Sequence, residues 1–213
     1  MAENDGSNMT GERSGFLVVM AVLGMAGCAA LILGTLIAPF FVPDYHWIAD
    51  TISDLAAGRS ELIMDIALYG FAAGLLATAL AAAHAHLGGV EWSAGILSLA
   101  ILAGIVIVVG ARNEYGDRDS DGVVIHTKLV YGLGLFFLAT PLCMLRGLWR
   151  HHRRSATVLI GLATLWGLAA PVFFFLPDGI DGLYERGLGL IACAMVVTLN
   201  LVFLHRATGS RSA

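Results

Sequence analysis

The chain has 213 residues, of which 58% are hydrophobic and only 13% are charged, and its mean hydropathy is +0.80. Soluble domains carry about a quarter charged residues, so this composition excludes a soluble domain and predicts that lipid is the solvent. The formal net charge is −4, and we expect no nucleic acid among the partners. The three cysteines all lie in apolar runs, so we expect packing residues rather than a disulfide framework.

Six apolar runs approach or exceed about 20 residues, the length that crosses the hydrocarbon core as a helix. In lipid each run must satisfy its own backbone groups, and none shows the alternation of a barrel strand. The predicted fold is therefore all-α, a six-helix bundle in one membrane domain of residues 15–206. Residues 1–14 are predicted to be a disordered tail, and 207–213 a second tail. The predicted spans are 15–41, 62–87, 92–111, 125–145, 157–176 and 187–205.

Basic residues cluster on one side of this topology. Arg150, Arg153 and Arg154 follow span 4, and Arg206 follows span 6. The positive-inside rule places these residues on the cytoplasmic side. We therefore expect both termini in the cytoplasm and the protein in the cell membrane. The first, third and fifth connections, which contain most of the acidic residues, are then outside.

The first connection, "DYHWIADTISDLAAGRSE", follows Pro39 and Pro43, which cannot continue span 1 as a helix. Its periodicity predicts a short amphipathic helix at the membrane interface, with His46, Asp50 and Asp54 one turn apart on the polar side. A histidine and carboxylates so spaced form a half-site for a divalent cation, or a base with an orienting acid. The alternative interpretation is the hydrated face of an interfacial helix.

Span 2 combines an ionisable residue with two small ones. Asp65 lies near the headgroup level, where an ionised group needs a partner or a water-filled cavity. Gly70 and Gly74 have the GxxxG spacing that lets two helix backbones approach closely. In span 6, Asn200 is expected to form a hydrogen bond between helices.

The third connection contains "DRDSDGVVIH", which has the opening spacing of an EF-hand calcium loop. That loop closes with a bidentate Glu at its twelfth position, where this chain has Lys128. The mismatch excludes an EF-hand and favours a solvated acidic turn. His126 differs from the aspartates because it falls in the first turn of span 4, at the depth of Asp65.

The start of span 6 carries Glu185 and Arg186. A glutamate there is favoured by the helix dipole, and the arginine can snorkel to the interface. We nevertheless expect Arg186 to hold an anion, either Asp54, Asp65 or a ligand headgroup. Ionisable residues at one level of a small bundle suggest a shared polar pocket. The predicted ligand-binding residues are Asp50, Ser53, Asp54, Asp65, His126, Glu185 and Arg186.

Histidines on the opposite side do not favour a b-type haem. Such a haem needs two axial histidines on facing helices at matching depth. Only His84 is deep enough, and no opposite partner is found in spans 3 to 5. Haem is therefore not an expected cofactor, whereas a divalent cation is kept as a possibility, with His46, Asp50, Asp54 and His126 as candidate ligands.

Three stretches, "DTISDLAAG", "DSDGVVIH" and "GLYERG", resemble the DUF998 group of six-span bacterial and archaeal membrane proteins. The resemblance covers nearly the whole chain and implies a fold and a site, made by Ser53, Asp54, His126, Glu185 and Arg186, but no reaction. The chain is more loosely similar to membrane zinc hydrolases of the alkaline ceramidase type. It lacks the seventh span of those enzymes and the paired histidines of their last helix.

Two functional hypotheses follow. The first is a membrane protein with an outward-facing polar pocket that binds or transports a small polar solute, a cation or a lipid headgroup. The second is a metal-dependent hydrolase that acts on a lipid at the outer face, with His126, Asp54 and Ser53 as candidate catalytic residues. The inner halves of the spans are almost wholly apolar, which weakens a channel. The sequence leaves the oligomeric state open.

Overall fold

A computed structural model describes residues 4–56, 61–111, 125–177 and 179–209. Within these ranges the backbone is built from α-helices and short 3-10 turns, and no strand occurs. Turns of 3-10 helix at Ala38–Phe41 and Phe173–Phe175 follow α1 and α6. The α-helices are α1 Asn4–Ile37, α2 Ile52–Leu55, α3 Glu61–Ala85, α4 Val90–Ala111, α5 Ile125–His151, α6 Arg153–Val172 and α7 Asp181–Gly209.

Six of these helices, all except α2, are long and apolar enough to cross a membrane, which confirms the predicted all-α architecture of six spans. Their apolar segments are Ser14–Phe41, Glu61–Ala85, Val90–Gly110, Lys128–His151, Arg153–Phe175 and Asp181–Gly209. The first long helix gives way to a 3-10 turn at Ala38 because Pro39 follows and has no backbone N–H to donate.

The spans form a closed ring in which each long helix contacts its neighbours in the chain. The order is α1, α3, α4, α5, α6 and α7, and α7 closes the ring against α1. Antiparallel neighbours give the bundle two distinct ends. We name the end with Asp44, Asp50, Asp54 and Asp181 the acidic end, and the end with Arg150, Arg153, Arg154 and Arg206 the basic end.

Small residues bring α1 and α3 close together, as the GxxxG spacing predicted. A Cβ built on Gly27 would lie 2.7 Å from the carbonyl oxygen of Gly70 and 2.8 Å from Cα of Gly74. Nearer the basic end, the Nδ2 group of Asn200 donates to Oγ1 of Thr78 over 2.9 Å, which confirms the expected hydrogen bond between helices. These contacts join α1, α3 and α7 across the interior, so these three helices are tightly packed around the middle of the spans.

We predict that Gly27→Ala destabilises the bundle. The new methyl group would meet backbone atoms of α3, which cannot move away without shifting the helix. Overpacking of this kind costs about 1–3 kcal/mol, which corresponds to a fall of roughly 5 °C in Tm for a chain of this size. The measurement is thermal unfolding of the purified protein in detergent.

The matched control is Gly104→Ala, because no heavy atom lies within 4 Å of the Cβ position at this exposed glycine of α4. Its Tm should stay unchanged or rise, since alanine is the better helix former. Equal Tm values for the two variants would contradict the close approach of α1 and α3.

Candidate functional site

At the acidic end, the first connection folds back over the start of α7. The amide of Gly182 donates to the carbonyl of Ala49 over 3.3 Å, and the amide of Leu183 donates to the carbonyl of Ile48 over 2.9 Å. The first amides of a helix have no partner within the helix itself. The connection therefore acts as the cap of α7, and the residues around it are placed by that contact.

Arg186 lies beneath this cap and binds the connection from below. Its side chain is only 7% exposed. Nη1 donates to the carbonyls of Trp47 at 3.0 Å, Asp50 at 3.1 Å and Gly182 at 2.7 Å. Nη2 donates to the hydroxyl of Tyr45. The guanidinium carbon also lies 4.8 Å from the ring centre of Trp47 and 5.6 Å from that of Tyr45. We name Arg186, Tyr45, Trp47, Asp50 and Gly182 the latch.

Of the anions expected for Arg186, neither Asp54 nor Asp65 forms an ion pair with it in the part of the chain that the structure describes. No carboxylate of a described residue forms an ion pair with it, and Nε is buried without a hydrogen-bond partner among those residues. Carbonyl dipoles and the negative faces of two aromatic rings stabilise the charge instead. The carbonyls are free to do so because residues 46–51 form a turn rather than a continuous helix.

Tyr45 completes the latch as a hydrogen-bond donor. Its hydroxyl lies 2.9 Å from the carbonyl oxygens of both Asp50 and Thr51. Burial raises the pKa of this phenol above its ordinary value, although the hydrogen bond from Arg186 opposes the shift. The phenol therefore keeps its proton at neutral pH, which both contacts require.

The short helix predicted in the first connection exists, but it is a single turn, α2. Thr51 caps it in a reciprocal pair: the amide of Asp54 donates to Oγ1 of Thr51 over 3.3 Å, and Oδ2 of Asp54 accepts the amide of Thr51 over 2.7 Å. His46 and Asp50 precede the cap, and Oδ2 of Asp50 accepts the amide of His46 over 2.6 Å. The three side chains thus do not share one helix face, because the extended backbone at Thr51 interrupts the helical period.

Glu185 makes a second tie between the connection and α7. One carboxylate oxygen, Oε2, accepts the amide of Ile52 over 2.6 Å. This amide belongs to the first turn of α2, where it has no partner within the helix. The stretches "DTISD" and "GLYERG" are therefore in direct contact through backbone and side chain.

Beneath these ties the ring of helices encloses a cavity of about 370 Å³, which we name the central cavity. Its walls come from all six spans and are mainly aliphatic and aromatic, for example Leu31, Phe71, Phe137 and Trp166. Polar side chains line it only near the first connection among the described residues, apart from the indole of Trp166. These are Thr51, Ser53 and Glu185, which we name the polar mouth.

A second space of about 370 Å³, the side groove, lies between α5 and α6. It shares Gly134, Trp166, Ala170 and Phe174 with the lining of the central cavity. Nε1 of Trp166 donates to the carbonyl of Gly134 over 2.9 Å, and the rings of Phe174 and Tyr131 stack with centres 4.4 Å apart. The cavity thus adjoins a groove on the lateral surface of the bundle, where lipid would lie.

The structure brings some of the predicted site residues together, but not all of them. Asp50, Ser53, Asp54, Glu185 and Arg186 come together around the start of α7, although only Ser53 and Glu185 of these line the central cavity. Asp65 and His46 do not join them.

Asp65 lies in α3 beside Glu61, outside the cavity lining, and its Oδ1 is buried with no hydrogen-bond partner among the described residues. His46 is exposed. His126 belongs to the first turn of α5, as predicted, but its side chain lies outside the described residues. No three His, Cys, Asp or Glu side chains of the described residues come close enough together to hold a metal ion.

Sequence reasoning missed Tyr45, Trp47, Thr51 and Gly182. A signal was present for Thr51, because Thr and an acidic residue three positions later form a capping pattern. Gly182 is required because a Cβ there would collide with the carbonyl of Asp50. Nothing in the residue types of Tyr45 and Trp47 indicates that they enclose an arginine.

We predict that Arg186→Lys releases the first connection from α7. A lysine ammonium lacks the planar fork that reaches three carbonyls and a hydroxyl at once. Hydrogen bonds from charged groups contribute about 1.5–3 kcal/mol each, so amide exchange at Ile52 and Leu183 should accelerate at least about tenfold. Arg154→Lys, at an exposed position of the basic end, should leave these rates unchanged. Unaltered exchange in Arg186→Lys, measured by mass spectrometry, would contradict the latch.

The family model described as "Protein of unknown function (DUF998)" matches residues 25–202. No curated protein and no solved structure matches the chain. The matched range contains all six spans in large part, and it contains the first connection and the start of α7, whose contacts form the site. This six-span integral membrane protein therefore belongs to the DUF998 family, whose function is unknown.

Proposed function

We propose that the protein binds an amphipathic lipid, with the hydrocarbon chain in the central cavity and the head at the polar mouth. One observation carries this proposal: among the described residues the walls of the cavity are mainly apolar, and Thr51, Ser53 and Glu185 lie together at its mouth. Its volume of about 370 Å³ falls within the range of about 300–1,000 Å³ that is typical of small-molecule sites.

The chemistry of the walls favours a lipid over the small polar solute or free cation that the sequence also allowed. A polar solute inside the cavity would lose hydration and meet few partners, which costs several kcal/mol for each unpaired group. A hydrocarbon chain loses no hydrogen bonds there, and it gains dispersion contacts with Phe71, Phe137 and Trp166.

The side groove supports supply of the lipid from the bilayer rather than from water. It adjoins the cavity at Gly134, Trp166, Ala170 and Phe174. The groove is lined by two glycines, Gly134 and Gly167, and by Pro171, which lies within α6. Small side chains leave space between α5 and α6 through which a hydrocarbon chain can pass.

The packing of α1, α3 and α7 around the middle of the spans favours binding over passage through the bundle. The contacts of Gly27 with Gly70 and Gly74, and the hydrogen bond from Asn200 to Thr78, fill the space between α1, α3 and α7. The hydrolase hypothesis gains no support from the described residues, because they bring no three metal-type ligands together.

The positive-inside rule supports an outward-facing acidic end in the cell membrane, since Arg150, Arg153, Arg154 and Arg206 all lie at the other end. The polar mouth would then face the outer leaflet.

Filling the central cavity should abolish lipid binding, and Gly189→Leu is the variant that fills it. Gly189 lines the cavity, and no heavy atom lies within 4 Å of its Cβ position, so the new side chain enters empty space. Lipid extracted from purified protein is quantified by mass spectrometry. We expect one lipid class to be enriched over the bulk membrane in the wild type and to fall about tenfold or more in Gly189→Leu.

Gly187→Leu is the matched control in the same helix. Gly187 also has no heavy atom within 4 Å of its Cβ position, but it does not line the cavity. This variant should retain lipid at the wild-type level. Equal lipid content in all three proteins, or no enriched lipid in the wild type, would overturn the proposal.

The orientation is tested with fusions to the end of the chain. Green fluorescent protein fused after Ala213 should fluoresce, because it folds in the cytoplasm, whereas alkaline phosphatase fused there should be inactive. An active phosphatase fusion would place the basic end outside and contradict the proposed orientation.

A further inference from the structure

Glu185 is the only charged side chain among the described residues that line the central cavity. Its Oε2 atom accepts the amide of Ile52 over 2.6 Å. An ionised carboxylate offers about four lone-pair sites, so one such bond leaves acceptor capacity for a ligand at the polar mouth. The remaining lone pairs of the carboxylate attract a hydrogen-bond donor, and its negative charge repels an anion.

Two of the donors near Glu185, the Ile52 amide and the Thr51 hydroxyl, are already engaged. The amide of Ile52 donates to Glu185 itself. The hydroxyl of Thr51 lies 2.8 Å from Oδ2 of Asp54 and donates its only hydrogen there. What Thr51 still offers to a ligand is a hydroxyl lone pair, so this part of the mouth also presents acceptors.

Arg186 is adjacent in sequence but does not line the cavity. Its two terminal nitrogens donate to carbonyls of Trp47, Asp50 and Gly182 and to the hydroxyl of Tyr45. The nearest cation is thus committed to the latch, beneath the first connection. A phosphate head at the mouth would meet the Glu185 carboxylate with no free cation beside it among the described residues.

Arg186, Asp54 and Asp181 all lie near enough to interact electrostatically with Glu185, so one cation, held in the latch, opposes its negative field and two carboxylates reinforce it. We infer that the amphiphile accepted by the central cavity has a hydrogen-bond-donating head, a hydroxyl or an ammonium group, and not a phosphate. Glu185 is the residue that determines this specificity. The inference rests on the proposed function, because it assigns the head of the lipid that the cavity would hold.

Dodecylamine, dodecanol and dodecyl phosphate test the inference because they share one chain and differ in the head. Each is added to protein in nanodiscs, and its affinity is obtained from the rise in Tm with concentration. The Gly189→Leu variant supplies the baseline for effects on the bilayer alone. We expect dodecylamine and dodecanol to stabilise the wild type above that baseline and dodecyl phosphate to bind at least about tenfold more weakly.

Glu185→Gln then tests the residue itself. Glutamine keeps the oxygen that accepts the Ile52 amide, so the fold of the mouth is retained, and the Tm without amphiphile verifies this. The variant should lose about tenfold in affinity for dodecylamine and much less for dodecanol, because only the ammonium gains from the charge.

Different results overturn the proposed function and the head-group inference. If no amphiphile stabilises the wild type beyond Gly189→Leu, both the proposed function and the head-group inference are overturned. If amphiphiles bind but dodecyl phosphate binds as well as dodecylamine, only the inference falls. The same holds if Glu185→Gln leaves the affinity for dodecylamine unchanged.

Discussion

The burial of the Arg186 guanidinium is the constraint on which the acidic end depends. A charge removed from water costs several kcal/mol unless it is paired and hydrogen-bonded. Here the partners are the carbonyls of Trp47, Asp50 and Gly182, the Tyr45 hydroxyl and two aromatic rings. The carbonyls of Trp47 and Asp50 are available because the backbone is not helical there, so the first connection must remain a turn seated on α7. That seating presents the amide of Ile52 to Glu185 and closes the cavity from above.

The cavity itself follows from how residue size is distributed along the ring of helices. Around the middle of the spans, Gly24, Gly27 and Gly74 let α1, α3 and α7 meet, and the hydrogen bond between Asn200 and Thr78 joins α7 to α3. Toward the acidic end, large side chains such as Phe137 and Trp166 hold α5 and α6 outward. Six helices in a closed ring then leave a space in the middle that no side chain fills, and a polar cap covers it.

Much of the fold could be predicted, whereas much of the site could not. Apolar runs mark the six spans, and Pro39, Gly70, Gly74 and Asn200 behave as their chemistry indicates. The sequence also indicated that "DTISD" and "GLYERG" lie close together, and the amide of Ile52 does donate to Glu185. The sequence did not indicate the partners of Arg186. These partners are mainly backbone carbonyls, which every residue has and which leave no pattern in the residue types. The prediction that His46, Asp50 and Asp54 share one helix face was wrong, because α2 begins after Thr51 and its helical spacing does not extend back to His46 and Asp50. The sequence predicts a polar pocket at this end, but the mainly apolar walls of the central cavity were not predicted, because a space between helices has no sequence pattern.

The central claim is that a hydrocarbon chain occupies the cavity against Trp166, and fluorescence quenching tests it most directly. A brominated dodecylamine in nanodiscs quenches an indole that its chain touches, and the contribution of Trp166 is the part of the quenching that is lost in Trp166→Phe. The account predicts strong quenching of Trp166 in the wild type and in Gly187→Leu, and its loss in Gly189→Leu. Equal quenching of Trp166 in Gly187→Leu and Gly189→Leu would show that the chain lies outside the cavity and would contradict the account.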